Sequence, residues 1–338
     1  MSRASSEQEP LPRGFGSFSR GALVCAALCG CGSEEASAEE PGGGVAEFMP
    51  GVAASQLPYQ PCASEAEVGS FALILAEGYT RVDGAVQDTV DPYEISNEAG
   101  SAGSCRLLTP PVYACPVGCA ASREVCGPAG ECLRKPVARD LGTVRFRGLA
   151  VPHELEPNDT TKHYASPAQS LPHPGFAPGA DIRAVTGGGD YPRFELRGWG
   201  VSPLVVQSSS VRIAAGMDVP LSWQAPVEAG PAHVHVELNI NRHGSSSAWV
   251  ECDFPDNGAG VIPGTLIDGL FERGTSGYPT LLLTRRTATS ASIEPGCVEL
   301  FVAAEAILSP DVDGVRSCSD AEDCEPGEMC RTLELFCE

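Results

Sequence analysis

The distribution of cysteine constrains this chain more than any other feature. Fifteen cysteines stand at positions 25, 29, 31, 62, 105, 115, 119, 126, 132, 252, 297, 318, 324, 330 and 337. Such a density is foreign to a reduced cytosolic enzyme. The first three lie within or directly after an uncharged, mostly apolar stretch at 21–30, which leaves twelve for the rest of the chain. An even count in an exported protein predicts disulfides throughout. The disulfide candidates are Cys62, Cys105, Cys115, Cys119, Cys126, Cys132, Cys252, Cys297, Cys318, Cys324, Cys330 and Cys337. Zinc is the competing explanation, but zinc sites favour cysteine pairs separated by two to four residues. Within the two four-cysteine clusters Cys115 and Cys119 alone have that spacing, and neither cluster has a histidine nearby. Disulfides and no bound metal are therefore expected. Within each four-cysteine cluster three connectivities remain open. Cys252 and Cys297 stand apart from both clusters, which makes a bridge between them the economical pairing.

The stretch at 21–30 reads Gly-Ala-Leu-Val-Cys-Ala-Ala-Leu-Cys-Gly. As a helix it would reach about 15 Å, roughly half the hydrocarbon core of a bilayer. It is therefore expected to be a signal-peptide core rather than a transmembrane span, with Arg13 and Arg20 as the positive flank. Glu7 and Glu9 are unusual in such a flank and point to a translation start downstream of them. Leu28-Cys29-Gly30-Cys31 resembles the lipobox of bacterial lipoproteins. That resemblance implies cleavage before Cys31, lipidation of Cys31, and partnership with the membrane through an N-terminal lipid anchor. Several acyl chains on one residue give stable attachment. Gly32, in place of Asp, implies sorting to the outer membrane. The Gly-, Ser-, Ala- and Glu-rich residues that follow read as a flexible acidic tether.

The expected fold class is mainly β. The organisation reads as a signal peptide at 1–30, a tether at 31–61 and a small disulfide-stapled β-domain at 62–140. An immunoglobulin-like β-sandwich at 141–310 and a four-cysteine mini-module at 311–338 complete it. Within 62–140 the apolar run from Phe71 leads to Asp83-Gly84, a hairpin-type turn. Within 141–310, short alternating segments separated by Gly and Pro predict strands. They begin at Thr143 and include 193–197, 204–206, 218–223, 233–240, 248–254, 280–283 and 298–302. Val234, Val236, Leu238 and Ile240 would face the core, as would Val219, Leu221 and Trp223. One short helix is expected over 265–273, capped by Thr265 with Asp268 and stopped by Gly274.

A formal charge of −22 argues against nucleic acid as a partner. No nucleophile elbow, His-Glu-x-x-His helix, phosphate loop or dinucleotide fingerprint occurs, so a non-catalytic chain without a cofactor is expected. Three constellations merit attention. His233, His235 and Glu237 share one face of a strand, and could serve a metal-dependent secreted hydrolase with a further ligand. Asp253, Asp256 and Asn257 crowd a Gly-containing loop that could hold calcium, although turns favour the same residues; Asp311 and Asp313 form a weaker fragment of that kind. Trp199, Trp223 and Trp249 could stack on sugars, but core packing suits them better.

Residues 154–160, Glu-Leu-Glu-Pro-Asn-Asp-Thr, resemble the opening of bacterial pre-peptidase C-terminal β-sandwich domains. The Asp-x-Asp-x-aromatic element of that family is replaced here by Asp190-Tyr-Pro-Arg-Phe194, so its calcium sites are not carried over. More broadly, the chain resembles cysteine-rich envelope lipoproteins common in myxobacteria. Matching elements are Ser104-Cys105-Arg106-Leu107, the cluster from Cys115 to Cys132, His243-Gly244, Cys252-Asp253 with Asp256 and Gly258, Ile262-Pro263, Ser276-Gly277-Tyr278-Pro279, Arg285 and the cluster from Cys318 to Cys337. The resemblance implies an envelope location and a non-catalytic β-architecture. The expected function is a lipid-anchored binding or scaffold module whose partner is an envelope protein or a glycan. A purely structural envelope component is the other reading.

Overall fold

The computed structural model describes residues 53–337, apart from 168, 209, 228–229, 242–246, 276–277, 319 and 332–335. The leader, Cys31, most of the tether, and the His243-Gly244 and Ser276-Gly277 elements lie outside the described residues.

The chain enters through a single 3-10 turn at Ala54–Gln56 and forms β1 (Glu67–Ala76) and β2 (Tyr79–Val86). β3 (Asn97–Ala102) and β4 (Cys105–Thr109) follow, then a small hairpin of β5 (Glu124–Cys126) and β6 (Cys132–Arg134). Next come β7 (Val144–Arg147), β8 (His153–Leu155), β9 (Tyr164–Ala165), β10 (Asp181–Val185) and β11 (Glu195–Trp199). Short β12 (Arg212–Ile213) and β13 (Val219–Ser222) precede β14 (His233–Asn239), β15 (Trp249–Pro255) and β16 (Ala259–Ile262). After α1 (Gly264–Phe271) the longest strands appear, β17 (Thr280–Ser292) and β18 (Cys297–Leu308). β19 (Asp311–Val312), a 3-10 turn at Ala321–Asp323, β20 (Cys330–Arg331) and β21 (Phe336–Cys337) close the chain.

Nine strands form one sheet in the order β3-β4-β15-β14-β17-β18-β1-β2-β9. Alternation gives it one apolar and one polar face. On the apolar face, Phe71, Leu73, Leu300 and Val302 pack against Val144, Phe146, Ile182 and Leu196 of a four-stranded sheet, β11-β10-β7-β8. The two layers make a β-sandwich. A side chain at Gly198 would collide with Val302, so β11 lies directly on β18. Threonine hydroxyls tie the layers: buried Thr287 Oγ1 donates to Trp199 O at 3.0 Å, and half-buried Thr289 Oγ1 to Arg197 O at 2.6 Å. The same face continues past β17, where Val234, Val236, Leu238, Val250 and Leu283 form a second core. That core is covered by Ile213, Val219, Leu221, Trp223 and the apolar side of α1.

The stretches 62–140 and 141–310 do not form separate sheets. β1–β4 from the first join β14, β15, β17 and β18 from the second, and β1 runs parallel to β18 across more than 200 residues of sequence. Local alternation cannot announce a parallel partner so distant. Asp83-Gly84 is not a turn either. The β1–β2 turn is at Glu77-Gly78, with Gly78 at φ +79°, and Gly84 sits opposite Phe71 inside β2. Its missing side chain leaves room for the Phe71 ring. α1 begins after Pro263, which offers no side-chain cap; Asp218 Oδ1 accepts from Gly264 N at 2.7 Å, Thr265 lies inside the helix, and Asp268 accepts from Gly216 N at 2.5 Å.

All twelve candidate cysteines pair, as Cys62–Cys297, Cys105–Cys252, Cys115–Cys126, Cys119–Cys132, Cys318–Cys330 and Cys324–Cys337. The expected Cys252–Cys297 bridge is not formed. Those residues sit on β15 and β18, with β14 and β17 between them. Three strand spacings amount to about 14 Å, about twice the Cα separation a disulfide spans. Each takes a nearer partner: Cys105 directly opposite Cys252 on β4, and Cys62 beside the start of β18.

Candidate functional site

The polar face of the large sheet carries the densest chemistry. Period two places Arg106 of β4, Glu251 and Asp253 of β15, His233, His235 and Glu237 of β14, Arg286 of β17, and Glu299 and Phe301 of β18 on this side. Residues 57–66 lie over part of it as a strap. Just before the start of β14, Gln60 N donates to Ala288 O of β17 at 2.8 Å. Cys62 is bridged to Cys297, and its N–H donates to Glu299 Oε1. The strap and the sheet enclose an open cleft of about 510 Å³.

Arg286 occupies the floor. Its Nε donates to Tyr59 Oη at 3.1 Å, and an Nη donates to His235 Nδ1 at 3.2 Å. Its guanidinium carbon is 5.0 Å from the centroid of Phe301, a cation–π arrangement. Tyr59 donates to Asp253 Oδ1 at 3.2 Å and stacks flat on His233, with ring centroids 3.9 Å apart. His233 Nδ1 in turn meets Asp253 Oδ2 at 3.1 Å. At the rim, Glu251 accepts from Trp249 Nε1 at 2.8 Å and from Arg106 at 3.4 Å. Arg286 makes no ion pair with a carboxylate among the described residues, although five carboxylates line the same cleft.

Burial sets the protonation states. It pushes the Glu299 carboxyl up to about 7, the neighbouring charge of Glu67 adds to this, and Cys62 N–H and Arg286 oppose it. Burial followed by the charge of Glu94 raises Glu67 as well. His235 is driven down to about 3 by burial and then by Arg286 and Arg106. It is therefore neutral, with Nδ1 accepting from Arg286 and the proton on Nε2. Burial also raises Tyr59 to about 12, so its hydroxyl stays protonated and able to donate.

Of the residues singled out in the sequence, His233, His235 and Asp253 come together here. Tyr59, Arg286 and Glu299 join them from distant segments. His233, His235 and Glu237 share a face as expected, but they are not gathered into a metal site. Among the described residues, the three-ligand sets with atoms within 4.8 Å are all built on cluster cysteines, which are disulfide-bonded. The 253–257 loop is similarly committed. Asp256 binds Arg285 Nε at 2.7 Å and Trp223 Nε1 at 2.8 Å, and Asn257 accepts from Ala259 N at 3.3 Å. Asp313 pairs with Arg212 at 2.6 Å. Trp199 and Trp223 are buried in the cores, whereas Trp249 stands half-buried at the cleft rim. In the 154–160 motif, Asn158 Oδ1 accepts from the backbone of Thr160 and Thr161, both at 2.9 Å, an Asx turn between β8 and β9.

The fold and site thus define a disulfide-stapled β-sandwich with a strapped polar cleft on its outer face. No family model matches the chain. No curated protein matches it. Among solved structures, the FN1-FN3 domains of chicken CNTN1 align with a TM-score of 0.18 and 8% identity, over 67% of this chain and 71% of that one. A tri-modular GH5 (subfamily 4) endo-beta-1,4-glucanase from Bacillus licheniformis, complexed with cellotetraose, aligns with a TM-score of 0.19 and 10% identity, over 65% of this chain and 38% of that one. Likenesses this remote carry no information about the cleft.

Proposed function

We propose that this protein is a lipid-anchored, disulfide-rich envelope protein, held at the outer membrane through Cys31, that acts as a non-catalytic binding module. The observation that supports binding is the cleft, where a covalently pinned strap holds Tyr59, Arg286, His235 and Asp253 in one connected network. Fixed polar groups that already know their partners are preorganised for recognition, because little side-chain freedom is lost when a ligand arrives. Six disulfides suit an oxidising compartment. The lipobox-like Leu28-Cys29-Gly30-Cys31 and the resemblance to myxobacterial envelope lipoproteins support the anchor and the location.

The test expresses the full chain with its own leader in a bacterium with an outer membrane. Intact mass should begin at acylated Cys31, and thiols should react with an alkylating agent after reduction and not before. The membrane-extracted protein, immobilised, should retain envelope material that an Arg286→Gln variant does not. A full-length, unacylated chain overturns the anchor; retention indifferent to Arg286 overturns the binding site.

A further inference from the structure

We infer that the strapped cleft recognises an uncharged, polyhydroxylated ligand, a sugar residue of a glycan, with Arg286 as the central donor and Asp253 as the central acceptor. This inference rests on the binding reading above and specifies its ligand.

The argument runs by chemistry. The cleft falls within the size range of ligand sites, roughly 300–1,000 Å³. Yet its walls are polar: Ser64, Ser104, Arg106, Glu251, Asp253 and Arg286 are among its lining residues. An apolar ligand would strip water from these groups without replacing their hydrogen bonds, at a cost for each. An anion would face an excess of carboxylates over guanidiniums. An organic cation would meet Arg286, which lies on the floor without a carboxylate partner within ion-pair distance among the described residues. A metal ion would find no carboxylate or histidine triad within 4.8 Å among the described residues.

A peptide is disfavoured by topology. Extended peptides bind by adding a strand to a sheet edge. The cleft floor is built from β14, β17 and β18, each flanked by strands on both sides. Their backbone groups are spent in the ladder where these strands pair, and beyond the start of β14 the strap takes Ala288 O of β17. What remains is a ligand that presses on a sheet face through groups that both donate and accept. Each hydroxyl offers one donor and two acceptor sites. That suits a surface where Arg286 and Arg106 donate while Asp253, Glu251 and Glu299 accept. The network fixes these groups in advance: Asp253 is held by Tyr59 and His233, Glu251 by Trp249 and Arg106, and Glu299 by Cys62 N–H. Trp249, whose indole N–H donates to the lining Glu251 at 2.8 Å, supplies a reporter of occupancy.

Calorimetry and Trp fluorescence on the full chain, with four neutral trisaccharides (maltotriose, mannotriose, galactotriose and chitotriose), trigalacturonate and spermidine, test this. At least one neutral sugar should bind, at least about tenfold more tightly than either charged probe. Arg286→Gln and Asp253→Asn should each weaken it about tenfold or more, the worth of one hydrogen bond to a charged group. Circular dichroism checks that each variant is folded, and His163→Ala, outside the cleft, should bind as the parent does. Preference for a charged probe, or neutral binding that ignores both substitutions, overturns the inference. If no probe binds while envelope material is still retained through Arg286, the sugar assignment fails and the binding reading stands. If neither occurs, both fail.

Discussion

Arg285 and Arg286 are neighbours in sequence and face opposite ways, because a strand turns each successive side chain to the other face. Arg286 looks into the cleft. Arg285 is 2% exposed and pairs with Asp256, itself 4% exposed, while its remaining N–H groups meet Ser202, Pro203 and Gln224. Asp256→Ala would leave that guanidinium buried without its anion. It should cost about 3–5 kcal/mol in chemical denaturation. A second prediction concerns the opposed titrations of His235 and Glu299. The unfolded histidine binds a proton below 6.5 and the folded one does not until about 3, so His235 makes stability rise with pH between those values. Folded Glu299 holds its proton up to about 7 and the unfolded group releases it near 4.5, so Glu299 makes stability fall with pH over that span. Between 4.5 and 6.5 the two cancel. Relative to the parent, Glu299→Gln should gain a positive slope of up to about 1.4 kcal/mol per pH unit, and His235→Gln a negative one. Denaturant midpoints at half-unit pH intervals would show it; parallel curves for all three proteins would contradict it.

At the scale of elements, the disulfides differ in what they hold. Cys62–Cys297 closes 235 residues and pins the strap to β18, whereas Cys119–Cys132 closes 13 residues around the β5–β6 hairpin. Cys105–Cys252 already shortens the larger loop. Removing Cys62–Cys297 as a double serine variant should therefore cost about 4–5 kcal/mol. The same change at Cys119 and Cys132 should loosen the hairpin and leave the main melting transition in place, since β5 and β6 pair with each other and not with the large sheet. Thermal melts followed by far-UV circular dichroism separate the two outcomes. The same distinction explains what could be read in advance. His233–Asn239 and Trp249–Pro255 alternate cleanly and were legible as strands, as was the helix near Leu266. Strand neighbours were not, because pairing is decided by burial on the completed sheet. Hence Cys252 was matched to the wrong cysteine. Half of the cleft was visible as the His233/His235 stripe and Asp253. Tyr59 carried no local signal, since an isolated tyrosine in an extended segment declares no partner. Glu299 did leave one, as a charged residue between Val298 and Leu300 on a long strand, whereas Arg286, between Arg285 and Thr287, did not declare its face.

For the whole molecule, the large sheet makes the N-terminal and C-terminal halves mutually dependent. β1 is buried between β18 and β2, and β4 lies beside β15 with β3 completing the edge. A fragment limited to 141–310, which looks like a self-contained sandwich in sequence, would leave the edge of β18 unpaired where β1 belongs, uncover Phe146 where Phe71 packs on it, and leave Cys252 and Cys297 without partners. It should fail to fold, giving a weak, non-cooperative melt and reactive thiols. Deleting 317–338 is a different cut. Val312 and Val315 pack into the second core and remain, while the lost cysteines pair within the deleted segment. β20 and β21 likewise pair with each other. That truncation should melt within a few degrees of the full chain, because the apolar surface it exposes is small beside the two cores. A large drop in its melting temperature would mean that the last module braces the body. A cooperative melt from the 141–310 fragment would mean that β18 is stable without β1, contrary to the parallel pairing on which the sheet is built.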